Sequence, residues 1–182
     1  MCVLTGISAA ECTRTGAAGV STVYLSPFDD LDLTGVTWDA SDQATALAVN
    51  ATKVWTKFEF QTDTAFFNQE KQVVGDNINW VQTLSLNFAN NSAAARLALK
   101  AMDNCCNLVA YVVDNQGQVR LAGILPTAGG TTSKKLGFKT GAGSFNSGAD
   151  PTADQNIRIV TLTCNAPEEA PYTTVAESAL DV

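Results

Sequence analysis

Asn77 to Leu125 constrains the fold more than any other stretch, because its hydrophobic period changes twice and each change is marked by turn or capping residues. Ile78, Trp80, Leu84, Leu86 and Phe88 fall on alternate positions, with Asn79, Thr83, Ser85 and Asn87 between them. This is the two-residue period of a strand with one buried face, with Val81 and Gln82 as exceptions. Asn90, Asn91 and Ser92 offer capping side chains before the alanine- and leucine-rich run Ala93 to Met102. One helix is predicted there, over residues 92–104. Leu108 to Val113 and Gln118 to Leu125 are then two β-branched-rich segments joined by Asp114–Asn–Gln–Gly117. Gly117 can take the left-handed conformation of a short hairpin loop, so the unit reads strand, helix, hairpin.

The flanking sequence supplies further strands. Ser21 to Leu25 is a first strand, ended at Ser26–Pro27 because proline cannot donate to a central ladder. Thr45 to Val49 reads as a short strand. Val54 to Phe60 reads as a longer one, with Val54, Phe58 and Phe60 on one face and Trp55, Lys57 and Glu59 on the other. Ala65 to Val74 continues the rhythm, so Val54 to Phe88 is expected to be an antiparallel meander. Residues 126–154 are rich in Gly, Thr, Ser and Ala, with Phe138 and Phe145 as isolated anchors, and read as a long contact loop. Asn156 to Cys164 closes the sheet. The expected plan is an N-terminal arm over 1–19, one mainly antiparallel β domain over 20–165 with a single flanking helix, and an acidic tail over 166–182.

At 182 residues the chain suits one domain, and its 46% hydrophobic content can fill a core. A net charge of −7 argues against holding nucleic acid by phosphate neutralisation, since only Lys134, Lys135 and Lys139 cluster among its basic residues. No apolar segment approaches a membrane span, and the start lacks a basic region followed by a long apolar run, so cytoplasmic synthesis without a membrane partner is expected.

The chain contains no histidine, which removes Ser–His and Cys–His pairs and the commonest general base. Gly129 to Lys135 lacks the spacing of a phosphate loop. Asp30, Asp32, Thr34 and Gly35 match the first half of a calcium loop, but its twelfth position is Ser41 and no helices flank it, so a solvated turn is expected. The cysteines at 2, 12, 105, 106 and 164 lack zinc spacing and read as free thiols, with a bridge from Cys12 to Cys164, or one centred on Cys2, left open. The tryptophans Trp38, Trp55 and Trp80 sit in strand patterns that favour packing over a sugar platform. No enzyme activity, cofactor or metal site is expected.

Several motifs carry a resemblance in their order: Val23–Tyr–Leu25 with Phe28–Asp29, Lys57–Phe–Glu–Phe60, Trp80 to Leu86, the Ala93–Met102 helix, Val109 to Gly123, and Ile159 to Thr163 followed by Glu168–Glu–Ala170. Taken together, from about Val20 to Ala170, the chain resembles the tail tube proteins of phages and prophages, those of Bacteroidota-type hosts in particular. It departs from that pattern in the asparagine-rich helix cap and the double cysteine.

The resemblance implies a β-sandwich or half-barrel with one helix, a long inter-subunit loop and extended termini. It also implies hexameric rings stacked around a lumen through which DNA passes without specific binding. Its implied partners are other copies, the tail tip or baseplate, a terminator and a sheath, and its implied place is the virion tail, after assembly in the host cytoplasm. For contacts between rings, the residues expected are the first nineteen and Pro126 to Asp150, with Lys134, Lys135, Phe138 and Phe145. For the lumen they are Lys57, Glu59 and Glu70, on the polar side of the Val54–Phe60 and Ala65–Val74 segments. Two other classes, a head–tail connector or capsid decoration protein and a carbohydrate-binding module, stand as alternatives.

Overall fold

The computed structural model describes residues 19–60, 64–75, 77–88, 93–103, 105, 107–127, 132–146 and 157–180, with backbone alone at 74, 93–96, 98, 142–146 and 157–158. The expected arm over 1–19 lies outside these residues apart from Gly19, as do the helix-capping residues Asn90 to Ser92. The chain folds mainly into antiparallel β-structure with one α-helix, as the periodicity predicts.

Two four-stranded sheets form the body. The first has the order β4 (Thr56–Glu59), β1 (Val20–Pro27), β7 (Leu108–Asp114), β8 (Val119–Ala122). The second has the order β11 (Lys139–Asn146), β12 (Ile157–Ala166), β6 (Asn77–Phe88), β5 (Ala65–Val74). Two small hairpins complete the fold, β2 (Thr37–Trp38) with β3 (Ala44–Ala46) and β9 (Ile124–Pro126) with β10 (Ser133–Lys135).

The first sheet is covered on both faces, which explains why β7 is buried from Leu108 through Val113. Leu108, Ala110 and Val112 point into a core shared with Leu84 and Leu86 of β6, Leu162 of β12, and Leu99 and Met102 of helix α1 (Ala93–Asp103). Val109, Tyr111 and Val113 point the other way, into a second core with Tyr24, Trp55, Ala44, Val175 and Leu180. β6, by contrast, is buried only at every second residue from Gln82 to Phe88, so its other face is free of the core. Gln82, one of the two apparent exceptions in the pattern, keeps the inward phase and is fully buried.

The segment after β12 is a strap. Pro171 and Val119 accept bonds from Leu121 and Thr173, at 2.9 and 3.2 Å, while Tyr172 and Ala44 accept from Ala44 and Thr174, at 3.1 and 3.0 Å. Residues 171–174 therefore join the β8 edge to β3 and curl the first sheet into a half-barrel around the second core. The Gln69 amide oxygen accepts the Ala170 N–H at 2.6 Å, and Arg120 donates to the Ala170 carbonyl at 3.1 Å and, at the surface, to Glu169 at 2.9 Å. The expectation of a loose acidic tail is thus corrected for residues 166–180, because burial of Ala170, Val175 and Leu180 holds them to the body.

Three other expectations are corrected. The 126–154 loop contains β10 and β11, because Lys139 to Asn146 finds a partner in β12 despite its small residues. The Val54–Phe88 meander is broken, since β4 pairs with β1 in the first sheet while β5 pairs only with β6 in the second. Cys105 is disulfide-bonded, with its partner outside the described residues, whereas Cys164 is a free buried thiol.

The strap is anchored by two tyrosines. Tyr111 donates its hydroxyl to the Val175 carbonyl at 2.6 Å, and Tyr24 donates to a Glu177 carboxylate oxygen at 2.8 Å. Burial first, then the negative field of Glu177, pushes the Tyr111 phenol up to about 12, and burial and the Glu177 bond raise Tyr24 further. Folding thus favours the neutral phenols. Their contribution to stability is complete below the ordinary tyrosine value of about 10 and is lost as pH rises through the folded values. Absorbance titration at 295 nm should show these two phenols ionising only together with unfolding. Tyr111→Phe should flatten the fall in denaturation midpoint above about pH 10. Reversible ionisation of every tyrosine near 10 in a folded chain would refute the anchoring.

Candidate assembly surfaces

No group of three or more His, Cys, Asp or Glu converges to hold a metal among the described residues. In the loop with half a calcium pattern, Asp30 is ion-paired to Lys53 at 2.9 Å. The Asp32 carboxylate accepts the Thr34 hydroxyl and N–H at 2.7 and 3.0 Å, bonds that hold it below its ordinary value. Both carboxylates are engaged in shaping and bracing the turn.

What the second sheet leaves uncovered is a broad polar face. Side chains of directly opposed residues share a face, so the register lines up Asn68, Thr83 and Thr163 in one row and Phe66, Ser85 and Thr161 in the next. Gln72 opposes Asn79, Glu70 opposes Val81, Val81 opposes Asn165, and Lys139 opposes Thr163. Among the described side chains of this face only Glu70 and Lys139 carry charge. Hydroxyls and amides make up most of the rest.

Both ends of this sheet are open. Among the described residues no strand pairs with the outer edge of β5 or with that of β11. On β5 the unpaired groups can be assigned. The Asn87 N–H donates to the Thr64 carbonyl at 2.9 Å, so in the alternating antiparallel ladder the even-numbered residues of β5 face β6. The backbone groups of Phe67, Gln69, Lys71 and Val73 accordingly point to the open edge.

β5 and β6 also outrun their neighbour. Pairing of β6 with β12 stops at Trp80, opposite Ala166, yet β6 continues to Asn77 and pairs with β5 to Val74. Beyond the last shared rung, where Lys71 lies opposite Trp80, the extra rungs carry Val73 opposite Ile78 on the face that forms the core further along. No described residue buries this pair: Val73 is 66% exposed and Ile78 is 50% exposed.

The residues expected to line a lumen are not brought together. Lys57 and Glu59 lie on β4 and form an ion pair at 2.8 Å, with the Lys57 ammonium 5.9 Å from the centre of the Tyr24 ring. Glu70 stands on the other sheet, exposed on its polar face. The expected shared surface is corrected because β4 and β5 are not neighbours in any sheet.

The expected inter-ring residues are also separated. Phe138 is fully buried, and its backbone exchanges bonds with Leu108 at 2.7 and 3.0 Å, so it is corrected from contact residue to core residue. Lys135 is held within the chain by Asp29 at 2.7 Å and by the Phe28 ring at 4.8 Å, leaving Lys134 beside it as an exposed cation on β10. Phe145 lies on β11, and its side chain is outside the described residues.

Residue alternation did not single out the hairpin tip or the strap, although one signal was available. Val73 and Ile78 keep the inward phase on either side of a Gly75-containing turn, well past the span that the closing strand can match. No protein-family model matches the chain, and no curated protein matches its sequence.

Proposed function

We propose that the chain is a structural subunit of a phage tail tube that assembles with copies of itself into stacked hexameric rings. The observation that carries this reading is the second sheet, a four-stranded antiparallel layer that no other described strand pairs with at either edge and that is polar on its outer face. An exposed pair of edges in one subunit is a template for pairing with another copy, and closure of the sheets into a barrel removes every such edge. In that barrel the polar face of Asn68, Glu70, Thr83, Ser85, Thr161 and Thr163 lines the lumen.

Such a lining suits passage of DNA. Hydroxyls and amides with one acidic and one basic residue offer no row of lysines or arginines on which phosphates would displace counterions and stick. A lumen so lined is close to neutral. The tail tip or baseplate, a terminator and a sheath are the further partners of this reading, and the virion tail is its location.

The carbohydrate-binding alternative finds less support. Trp55 is 1% exposed, Trp38 is half-buried with its indole N–H on the Ser133 hydroxyl at 3.0 Å, and Trp80 is half-buried on the hairpin. No open row of indoles is presented among the described residues.

Mass photometry and negative-stain electron microscopy at rising concentration test the proposal. Rings or hollow tubes with six-fold views are expected, and assembled tubes should retain duplex DNA weakly, with little dependence on salt. A chain that stays monomeric and also fails to add to preformed tail tips would sink it.

A further inference from the structure

The exposed hairpin tip has a counterpart at the other end of the same strand. A recess of about 260 Å³ opens between the sheets, with Val20, Phe67 and Val112 as its apolar lining and Asp114, Gln118 and Arg120 on its rim. Phe67 and Val73 are six residues apart along β5, which places recess and tip about 20 Å from one another. We infer that the β5–β6 tip of one copy, through Val73 and Ile78, docks into the Phe67 recess of a second copy. This inference rests on the self-assembly proposed above and names the contact that propagates it along the strand direction.

Three observations favour a second copy as the occupant. First, tip and recess are different surfaces of one chain, so their contact is heterologous and repeats from copy to copy without using up either surface. Second, the charges match. Lys71 lies on the apolar face of the tip without an ion pair among the described residues, while the Asp114 carboxylate on the rim accepts the Gln116 and Gln118 backbone N–H groups, at 2.8 Å each, and has no ion pair among the described residues either. Docking brings that cation to that carboxylate. Third, two aliphatic side chains and one ion pair cover far less than the roughly 800 Å² per partner of a stable interface. A contact of this size holds only as one of many in an array, as between rings.

Ile78→Asp tests the contact in the full-length chain, because position 78 is exposed and the monomer should keep its fold and melting temperature. The concentration at which stacked assemblies appear should rise at least about tenfold, the effect of losing roughly 1.4 kcal/mol per contact. A second measurement is independent of that threshold. Ile78→Cys and Gln118→Cys chains, mixed under mild oxidation, should form a disulfide-linked heterodimer that neither variant gives alone.

Wild-type-like stacking by Ile78→Asp, with no heterodimer in the mixture, overturns the docking and leaves the tube proposal standing. If the recess is instead the seat of residues 1–18, removing them rather than changing Ile78 will alter reactivity at Gln118→Cys, and the docking is overturned as well. Failure of the wild-type chain to assemble under any condition overturns both.

Discussion

Phe138→Ala should lower the unfolding free energy of the isolated subunit by about 3–5 kcal/mol, the cost of truncating a fully buried phenylalanine. For a chain of this size that corresponds to a fall in melting temperature on the order of 10 °C. Phe138 packs in the first core with Leu108, Ala122 and Met102, and its backbone closes a bridge to Leu108. Cavity formation therefore acts on the monomer, and assembly should fail only in proportion to the unfolded fraction. Calorimetry beside mass photometry separates the two. A variant that melts like the wild type yet no longer assembles would place Phe138 at an interface and contradict its burial.

Lys71→Pro has the opposite signature. Lys71 turns its backbone N–H to the open edge of β5, so proline there removes no bond to β6 and should change monomer stability by no more than about 1 kcal/mol. It deletes a donor and adds a ring where a neighbouring copy's strand would approach, so ring formation should be abolished at concentrations where the wild type is fully assembled. Lys71→Ala is the control, since it loses the charge but keeps the N–H. Its effect should be confined to a few-fold shift in stacking. Unimpaired ring formation by the proline variant would show that the β5 edge is not where copies join.

These outcomes depend on features that the sequence reveals unevenly. The alternation in β6, the alanine-rich helix and the β7–β8 hairpin are legible because each is a local pattern, although the expected Gln118–Leu125 strand divides at Gly123 into β8 and β9, which belong to different sheets. Sheet membership was not legible. β4 and β5 each read as strands, but nothing in Val54 to Phe60 reports that its partner is β1, some thirty residues earlier, and not the strand that follows. The uncharged solvent face of the second sheet was visible only residue by residue, as polar spacers between apolar positions. It became a surface once register placed Thr83 between Asn68 and Thr163. Lys57, Glu59 and Glu70 were grouped on the assumption that neighbours in sequence are neighbours in space, which holds for hairpins and fails at the crossover between sheets.

Composition misled in two places. Residues 139–146 carry so many small side chains that they look irregular, yet β-pairing is made by backbone groups and β12 supplies the partner. The acidic, proline-containing stretch after Ala166 looks solvated because its charges are conspicuous. Its fold-defining residues are modest: Ala170 joins the core between the sheets, and Val175 and Leu180 join the second core on the other face of the first sheet.

The strap has a consequence for the order in which the subunit comes into being. Thr173 bonds to Ala44 across 129 residues of sequence, and Ser21 bonds to Val113 across 92, so neither core can close from neighbouring segments alone. Chains dominated by such distant pairings fold in milliseconds to seconds, with apolar strands uncovered in the meantime. A chain lacking its last dozen residues would leave Tyr24, Tyr111 and Trp55 without the cover of Val175 and Leu180, and should be more readily cleaved by proteases than the full chain.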